Sequence, residues 1–229
     1  MTAHASDYTW ISEHWRELVE AYCLTMVEGM SAEELLRRID AGPIRTVTGL
    51  SAVLEAADEF EDGGYDEDGD EDEDEDREAE GDEGEEDESD DEDGMFIAAT
   101  EIGGWALAVE SYGHLGVSRE VIAALSRGTR LVSHFRNVNA ADHFYWHEDG
   151  RERLHFEPLF ARERQGSDAE AAAEAMRLAG FDLSAGEEHD HTLHTEAAFA
   201  FAEHLTGVRL TPELLESAVF RCGAAPEPR

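Results

Sequence analysis

The chain has 229 residues and a formal net charge of −39, with 56 acidic residues against 17 basic ones. This charge argues against nucleic acid or an anionic membrane as the main partner, because binding to polyanions depends on basic groups that neutralise phosphates. The basic residues are all arginines, so no lysine is available for Schiff-base chemistry or for a Gly-Lys-Ser/Thr phosphate loop.

Most of the acidity lies in one internal segment. Residues 58–93 hold 26 acidic residues and one arginine, Arg77, a net charge of −25. Almost no apolar residue occurs from Glu61 to Asp93, so no burial could offset the entropy lost on ordering this backbone. We predict a disordered acidic insertion over residues 61–94 of a single domain. Residues 1–60 and 95–223 form that domain, and residues 224–229 form a flexible tail.

The chain shows no sign of export or membrane insertion. No basic leader followed by an apolar run opens it, and no stretch of about 18 apolar residues occurs. We therefore expect a cytoplasmic protein. In that compartment Cys23 and Cys222 are expected to be reduced thiols, with Cys23 buried and Cys222 incidental near a polar tail.

The segment before the insertion predicts three helices and one strand. Apolar residues recur at helical spacing over residues 8–20, and β-branched and aromatic residues then predict a strand over residues 21–27. Ser31 with Glu34 forms a capping box that opens a helix, which the Gly42-Pro43 pair stops. Residues 50–60 predict a further short helix.

After the insertion the pattern changes to strands. Residues 95–102, 104–112, 129–136, 144–146 and 153–156 predict strands, with Gly103-Gly104 and Asp149-Gly150 as hairpin turns. A helix follows Ser118, and three helices are predicted after Ser167, around Ala197 and from Thr211. The fold class is α+β, a largely antiparallel sheet of five to six strands with helices packed on one face.

The alternation of residue types within these strands assigns the two faces of the sheet. The residues predicted to point into the core are Trp105, Leu107, Val109, Leu131, Ser133, Phe135, Phe144, Trp146, Leu154 and Phe156. The opposite, polar face supplies the candidate binding residues Glu110, Arg130, His134, Arg136, Asn137, Tyr145, Arg153, His155 and Glu157. A lattice of solvated charges is the alternative interpretation, because antiparallel sheets often leave one face wet.

Five segments of the chain resemble an uncharacterised family of high-GC Gram-positive bacteria, catalogued as a domain of unknown function. They are AYCLTMVEGMSAEELLRR, GGWALAVE, LSRGTRLVSHFRNVN, HFEPL and LTGVRLTPELLESAVFRCG. The resemblance covers most of the chain outside the acidic insertion, which departs from the compact pattern of the family. It implies a bacterial cytosolic setting and brings no activity with it.

Catalytic and metal motifs are weak. Ser133 and His134 suggest a hydrolase, but neighbouring residues of a strand point to opposite faces and cannot meet. Two groups of histidines could supply imidazole ligands, but neither has the spacing of a known zinc motif. These histidines are His189, His191 and His194, and His143 and His147. We therefore predict neither a metal nor a cofactor.

The sequence thus predicts a non-enzymatic, cytosolic interaction or regulatory module, of the immunity-protein or antitoxin type. It would bind a protein partner through the polar sheet face, and the acidic insertion would dock on that face in cis or on a basic partner. The alternative is a small hydrolase or transferase that uses His134, Glu110 and Glu157 as acid and base. An enzyme should gather these groups in a concave pocket, whereas a binding face should be open.

Overall fold

The computed structural model describes residues 2–63, 94–184 and 191–228 and contains one antiparallel sheet of eight strands. The strands are β1 (Tyr22–Glu28), β2 (Gly42–Thr48), β3 (Met95–Ile102), β4 (Trp105–Ser111), β5 (Arg130–Arg136), β6 (Asp142–Glu148), β7 (Arg151–Phe156) and β8 (Val219–Ala225). Their order across the sheet is β2-β8-β3-β4-β1-β5-β6-β7. Strand β1 therefore lies inside the sheet, between strands that follow the acidic insertion.

Seven α-helices accompany the sheet in the described part of the chain. They are α1 (Trp10–His14), α2 (Ala32–Arg38), α3 (Leu50–Asp62), α4 (Arg119–Leu125), α5 (Ala173–Ala179), α6 (His194–Thr206) and α7 (Pro212–Ser217). A short 3-10 turn, Leu115–Val117, precedes α4. None of the helices described is long and apolar enough to cross a membrane.

The predicted fold class is confirmed, with more strands than expected. The structure is α+β with an antiparallel sheet, and the two strands that the sequence did not reveal are β2 and β8. Strand β2 is an edge strand with both faces largely exposed, so it lacks the alternation that marks a half-buried strand. Strand β8 includes Ala224 and Ala225, which we had assigned to a flexible tail, and it buries Cys222, which we had expected to be incidental.

Local signals placed several boundaries correctly. The hairpin turns have left-handed backbone at Gly103 and Gly104 and at Asp149 and Gly150, as two-residue turns require. The Ser31 hydroxyl accepts the Glu34 N–H at 3.1 Å, which confirms that N-cap. Two helix predictions were wrong. Residues 8–20 contain α1 and a 3-10 turn instead of one helix, and α5 begins at Ala173, well after Ser167.

Helices cover both faces of the sheet, which corrects the prediction of a single covered face. On one side, the α6 face, apolar residues of α1, α3, α5, α6 and α7 pack against β-strand residues such as Leu107 and Phe144. On the other side, the α4 face, α2 and α4 pack against Val27, Ala108 and Leu131. The sheet is therefore the middle layer of three.

The faces of β5 are the reverse of those predicted. Leu24 of β1 pairs with Val109 on one side and with His134 on the other, so these three side chains share the α6 face. Leu131 and Ser133 consequently point to the α4 face, although we had placed them with Trp105. Both faces of β5 are buried near its centre, so alternation could not tell the two directions apart.

The acidic insertion predicted over residues 61–94 lies mostly outside the described residues. Glu61 and Asp62 close helix α3, and Gly94 precedes β3, whereas residues 64–93 are not described. The prediction that the insertion docks on the sheet in cis therefore stays a prediction.

Trp105 provides a test of the core. Its side chain is buried on the α6 face, with the Arg130 guanidinium carbon 5.2 Å from the ring centroid. We expect Trp105→Ala to lower the free energy of unfolding by about 3–5 kcal/mol, because it removes apolar burial and leaves a cavity. Urea titration should show this loss, whereas Val138→Ala at an exposed position should be nearly neutral. A loss below about 1 kcal/mol for Trp105→Ala would contradict the burial of this side chain.

Candidate functional site

Glu110 is completely buried on the α4 face and holds a loop against the sheet. Its carboxylate accepts the backbone N–H groups of Leu115 at 2.7 Å and Gly116 at 3.1 Å. A Cβ at Gly116 would come within 1.8 Å of the Thr25 hydroxyl, so the 3-10 turn can approach this closely only with glycine. Burial raises the pKa of Glu110 to about 7, against the opposing effect of the two N–H donors. Glu110 is thus a buried structural anchor.

Small polar groups complete this anchor. Ser133 Oγ lies 3.0 Å from Thr25 Oγ1 and 3.5 Å from the Cys23 sulfur, all buried between the sheet and the 3-10 turn. Burial raises the pKa of the Cys23 thiol well above its usual value, with Glu110 adding to the effect. A protonated, buried thiol is a poor nucleophile.

His134 lies across the sheet from this cluster, on the α6 face. A hydrogen bond of 3.0 Å joins its Nδ1 to the Tyr22 hydroxyl, and its ring contacts Phe144 and Phe199. Burial lowers the pKa of His134 to about 3, and the negative charge of Asp142 opposes the shift. The imidazole is therefore neutral and inaccessible, so it is unsuited to general acid–base work on an external substrate.

Asp142 is the buried charge next to His134. Its Oδ2 accepts from Arg136 at 3.2 Å and from His194 Nε2 at 3.3 Å, while Oδ1 is buried with no hydrogen-bond partner in the described part of the chain. Burial alone would lower the pKa of His194, but its hydrogen bonds to Asp142 and to the His191 carbonyl raise it. Because His194 is the first residue of α6, this network attaches the start of that helix to the end of the β5–β6 hairpin.

The other predicted binding residues are dispersed. Arg130 forms a two-pronged salt bridge with Glu28 at 2.6 Å, and Arg153 pairs with Asp168 at 2.8 Å, both at the α6 face. Asn137 accepts backbone N–H groups within its own turn, and Glu157 precedes a 3-10 turn that starts at Pro158. Arg130, Arg153 and Asn137 therefore have local structural roles.

Tyr145 and His155 come together in a partly open cleft on the α4 face. We call it the histidine cleft. It has a volume of about 460 Å³ and lies between α4 and the β6–β7 hairpin. Its lining residues are Val117, Arg119, Ile122, Ala123, Tyr145, His147, Gly150, Glu152, His155 and Gln165.

An aromatic floor forms the base of the histidine cleft. The rings of Tyr145 and His155 are stacked with centroids 4.2 Å apart and planes at 3°, because the two residues pair across β6 and β7. His147 lies 6.0 Å from Tyr145 along the same face, and His143 lies 5.4 Å from His155. Because the two rings are stacked, each covers one face of the other, and the edges and outer faces of the pair form the contact surface of the cleft at a small entropic cost.

A hydrogen-bonded chain orients the imidazoles. Gln165 Nε2 donates to His155 Nδ1 at 2.8 Å, which leaves His155 Nε2–H to donate to His143 Nδ1 at 3.3 Å. Burial lowers the pKa of His155, and His143 lowers it further. Burial also lowers the pKa of His147, whose Nδ1 is enclosed with no hydrogen-bond partner from the described residues. Neutral imidazoles therefore line the cleft at pH 7.

Two charged side chains at the rim of the cleft have no partner among the described residues. Arg119 and Glu152 are both exposed, and no salt bridge joins either to another side chain that the structure describes. Both act on Tyr145 electrostatically: Glu152 adds to the burial that raises the pKa of the phenol, and Arg119 opposes it. The phenol thus lies between two charges that remain available to a ligand.

A larger, more open cleft of about 980 Å³ lies around Gly29 and Gly128 and also reaches the β6–β7 turn at Glu148 and Asp149. Two of its three arginines are already paired, Arg130 with Glu28 and Arg38 with Glu34. Its charges are therefore largely satisfied within the chain. The smaller histidine cleft is the better candidate because its rim charges have no ion-pair partner within residues 2–63, 94–184 and 191–228.

The geometry does not assemble a metal site within the described residues. No group of three or more histidine, cysteine or acidic side chains is placed there to hold an ion. His189 lies outside the described residues, so the structure does not test whether His189, His191 and His194 come together as metal ligands.

The chain was compared with family models, with curated proteins and with solved structures. The model of a family of unknown function, DUF6461, matches residues 1–229. The chain belongs to the DUF6461 family. No curated protein and no solved structure matched this DUF6461 chain. The resemblance to an uncharacterised family is confirmed, and the origin in high-GC Gram-positive bacteria stays a prediction.

Several residues of the DUF6461 chain that form these sites were missed by sequence reasoning. Asp142 lies between two predicted strands, Arg119 directly follows a predicted helix cap, and Gln165 lies in a loop that pairs with β7 only in the folded chain. His194 was considered only as a metal ligand, although it pairs with Asp142, 52 residues before it in the printed sequence. No periodic signal marks such long-range partners.

Glu110 predicts a pH dependence of stability. Its folded pKa of about 7 exceeds the ordinary 4.5, so the folded state binds the extra proton in this window, and the stability that Glu110 contributes should fall as the pH rises from about 4.5 to 7. The loss attributable to Glu110 is at most about 3 kcal/mol. Glu110→Gln should remove this slope, and urea titrations of both proteins across the window measure it. Parallel profiles of the two proteins would refute the assignment.

His134 predicts the opposite slope. Its folded pKa of about 3 is below the ordinary 6.5, so the unfolded state gains the proton first and stability should fall as the pH drops below 6.5. The slope from this residue is at most about 1.4 kcal/mol per pH unit. His134→Asn keeps an acceptor for Tyr22 without a titrating ring. A variant that is as acid-sensitive as the parent between pH 6.5 and 5 would show that His134 is not buried as a neutral ring.

Proposed function

We propose that this DUF6461 chain is a cytoplasmic protein-interaction module that binds a protein partner through the histidine cleft. The observation that supports this proposal is the cleft itself, with stacked rings on its floor and, at its rim, Arg119 and Glu152, which pair with no other side chain that the structure describes. Aromatic and arginine side chains in a partly buried depression are typical of the energetic centre of a protein interface. Two free, buried cysteines are compatible with a reducing compartment.

The proposed binding site is smaller than the binding face predicted from the sequence. Of the nine predicted residues, Tyr145 and His155 line this cleft, while Glu110 is buried beneath the neighbouring 3-10 turn. Arg130, His134 and Arg136 lie on the other side of the sheet. A partner at the cleft would therefore contact β6, β7 and α4, and would leave the α6 face untouched.

The alternative enzyme receives no support from the placement of its proposed acid and base groups. Glu110 and His134 are both buried and point to opposite faces of the sheet, because their β1 partners Cys23 and Leu24 are consecutive residues. Neither side chain lines the histidine cleft. A shared substrate could not contact both groups without crossing the sheet.

Affinity enrichment from the source organism tests the proposal. Ala123 is exposed on the cleft wall, so Ala123→Arg should obstruct the cleft without disturbing the core. Leu178→Arg adds the same charge at an exposed position of α5 and is the matched control. We expect one or more proteins that are enriched by the parent and by Leu178→Arg, and depleted at least about fivefold by Ala123→Arg. Equal recovery by both variants would overturn the proposal, as would the absence of any enriched protein.

A further inference from the structure

The chemistry of the histidine cleft indicates which side chain of a partner it accepts. We propose that the cleft holds an arginine side chain, with the guanidinium packed against the aromatic floor and paired with Glu152. This inference rests on the proposed function, because it names the group by which the protein partner is anchored. Three features support it: the size of the cleft, its hydrogen-bond acceptors and the charge of the chain.

The size of the cleft fits one long side chain. A volume of about 460 Å³ is at the lower end of the range for small-ligand pockets and is far too small for a folded element. Ile122 and Ala123 of α4 line the cleft together with the rings of Tyr145 and His147. A flexible aliphatic stem that ends in a polar head suits such walls.

The hydrogen-bond acceptors in the cleft favour a ligand that donates hydrogen bonds. Glu152 has no salt-bridge partner among the described side chains, and the histidines present neutral rings beside it. A planar guanidinium can stack on an aromatic face and donate to a carboxylate at the same time. A lysine ammonium forms a cation–π contact but lacks the flat surface that stacks, so we expect arginine to bind more tightly than lysine.

Charge favours a cation over an anion. The chain carries a net charge of −39, which raises the local concentration of basic ligands and repels acidic ones. The charged and titratable groups around the site are Arg119 from α4, His143, Tyr145 and His147 from β6, and Glu152 and His155 from β7. Arg119 is the one fixed positive charge among them and opposes a cationic ligand. The variant effects of Arg119 and Glu152 must therefore have opposite signs.

Direct titration of the full chain tests the inference. The probes are the blocked peptides acetyl-Gly-Arg-Gly-amide, its lysine and glutamate analogues, and its citrulline analogue, which keeps the shape of arginine without the charge. Amide and imidazole chemical shifts of Tyr145, His147, Glu152 and His155 report binding at the cleft. These shifts also distinguish binding at the cleft from diffuse binding of cations to the acidic insertion, which all variants retain.

The expected result is an arginine preference with two opposite variant effects. The arginine peptide should bind more tightly than the lysine peptide, and the citrulline and glutamate peptides should give no saturable shift at the cleft. Glu152→Gln should weaken arginine binding about two- to fivefold, and Arg119→Gln should strengthen it by a similar factor, as single exposed charges do.

Three outcomes would overturn the inference. They are equal shifts with citrulline, saturable binding of the glutamate peptide with the variant effects reversed, and shifts confined to residues outside the cleft. Each is distinguishable from failure of the proposed function, because the enrichment experiment with Ala123→Arg does not depend on the identity of the anchoring side chain. Specific capture with no arginine preference would retain the interaction module and remove arginine as its anchor.

Discussion

The position of β1 inside the sheet is the constraint on which the rest of the structure depends. This strand is hydrogen-bonded to β4 on one side and to β5 on the other, and all but its last residue are buried. Its period of two therefore sets the direction of every side chain on both neighbours. A shift by one residue would move Glu110, His134 and their apolar neighbours to the wrong layers together, so the register is strongly specified.

Burial on both faces explains why polar residues of the central strands are structural. A charged or hydroxyl group there must find partners within the protein, because unsatisfied burial is costly. Glu110 meets this demand with two backbone N–H groups and His134 with the Tyr22 hydroxyl, one network on each face. A site for an external ligand is then possible only where a helical layer ends. The histidine cleft occupies such a place, beside α4 and over the β6–β7 hairpin near the edge of the sheet.

The sequence predicted what depends on local chemistry. The fold class, the Gly103-Gly104 and Asp149-Gly150 turns and the Ser31 cap follow from residue types at short spacing, and all are present. The burial of Trp105 was also correct. These features need no knowledge of distant partners, because backbone sterics and capping act within a few residues.

The candidate site was predicted only in part, because its assembly depends on which layers cover the sheet. We assumed one dry face and one wet face, and under that assumption Leu131, Ser133 and Phe135 had to share the side of Trp105. The second helical layer gives Leu131 its own core on the α4 face, so alternation in β5 had two solutions. Tyr145 and His155 were grouped correctly because β6 and β7 are joined by a short hairpin whose pairing is visible in the sequence.

The most direct test of this account is the environment of the His134 ring. In a protein labelled at histidine and aromatic residues, nuclear Overhauser effects from the His134 imidazole should reach the rings of Tyr22, Phe144 and Phe199, whose centroids lie within 6.0 Å. No such effect should reach Leu115, which packs over Glu110 on the other side of the sheet. Contacts between His134 and Leu115, with none to Phe199, would show that β5 has the opposite orientation and would contradict the account.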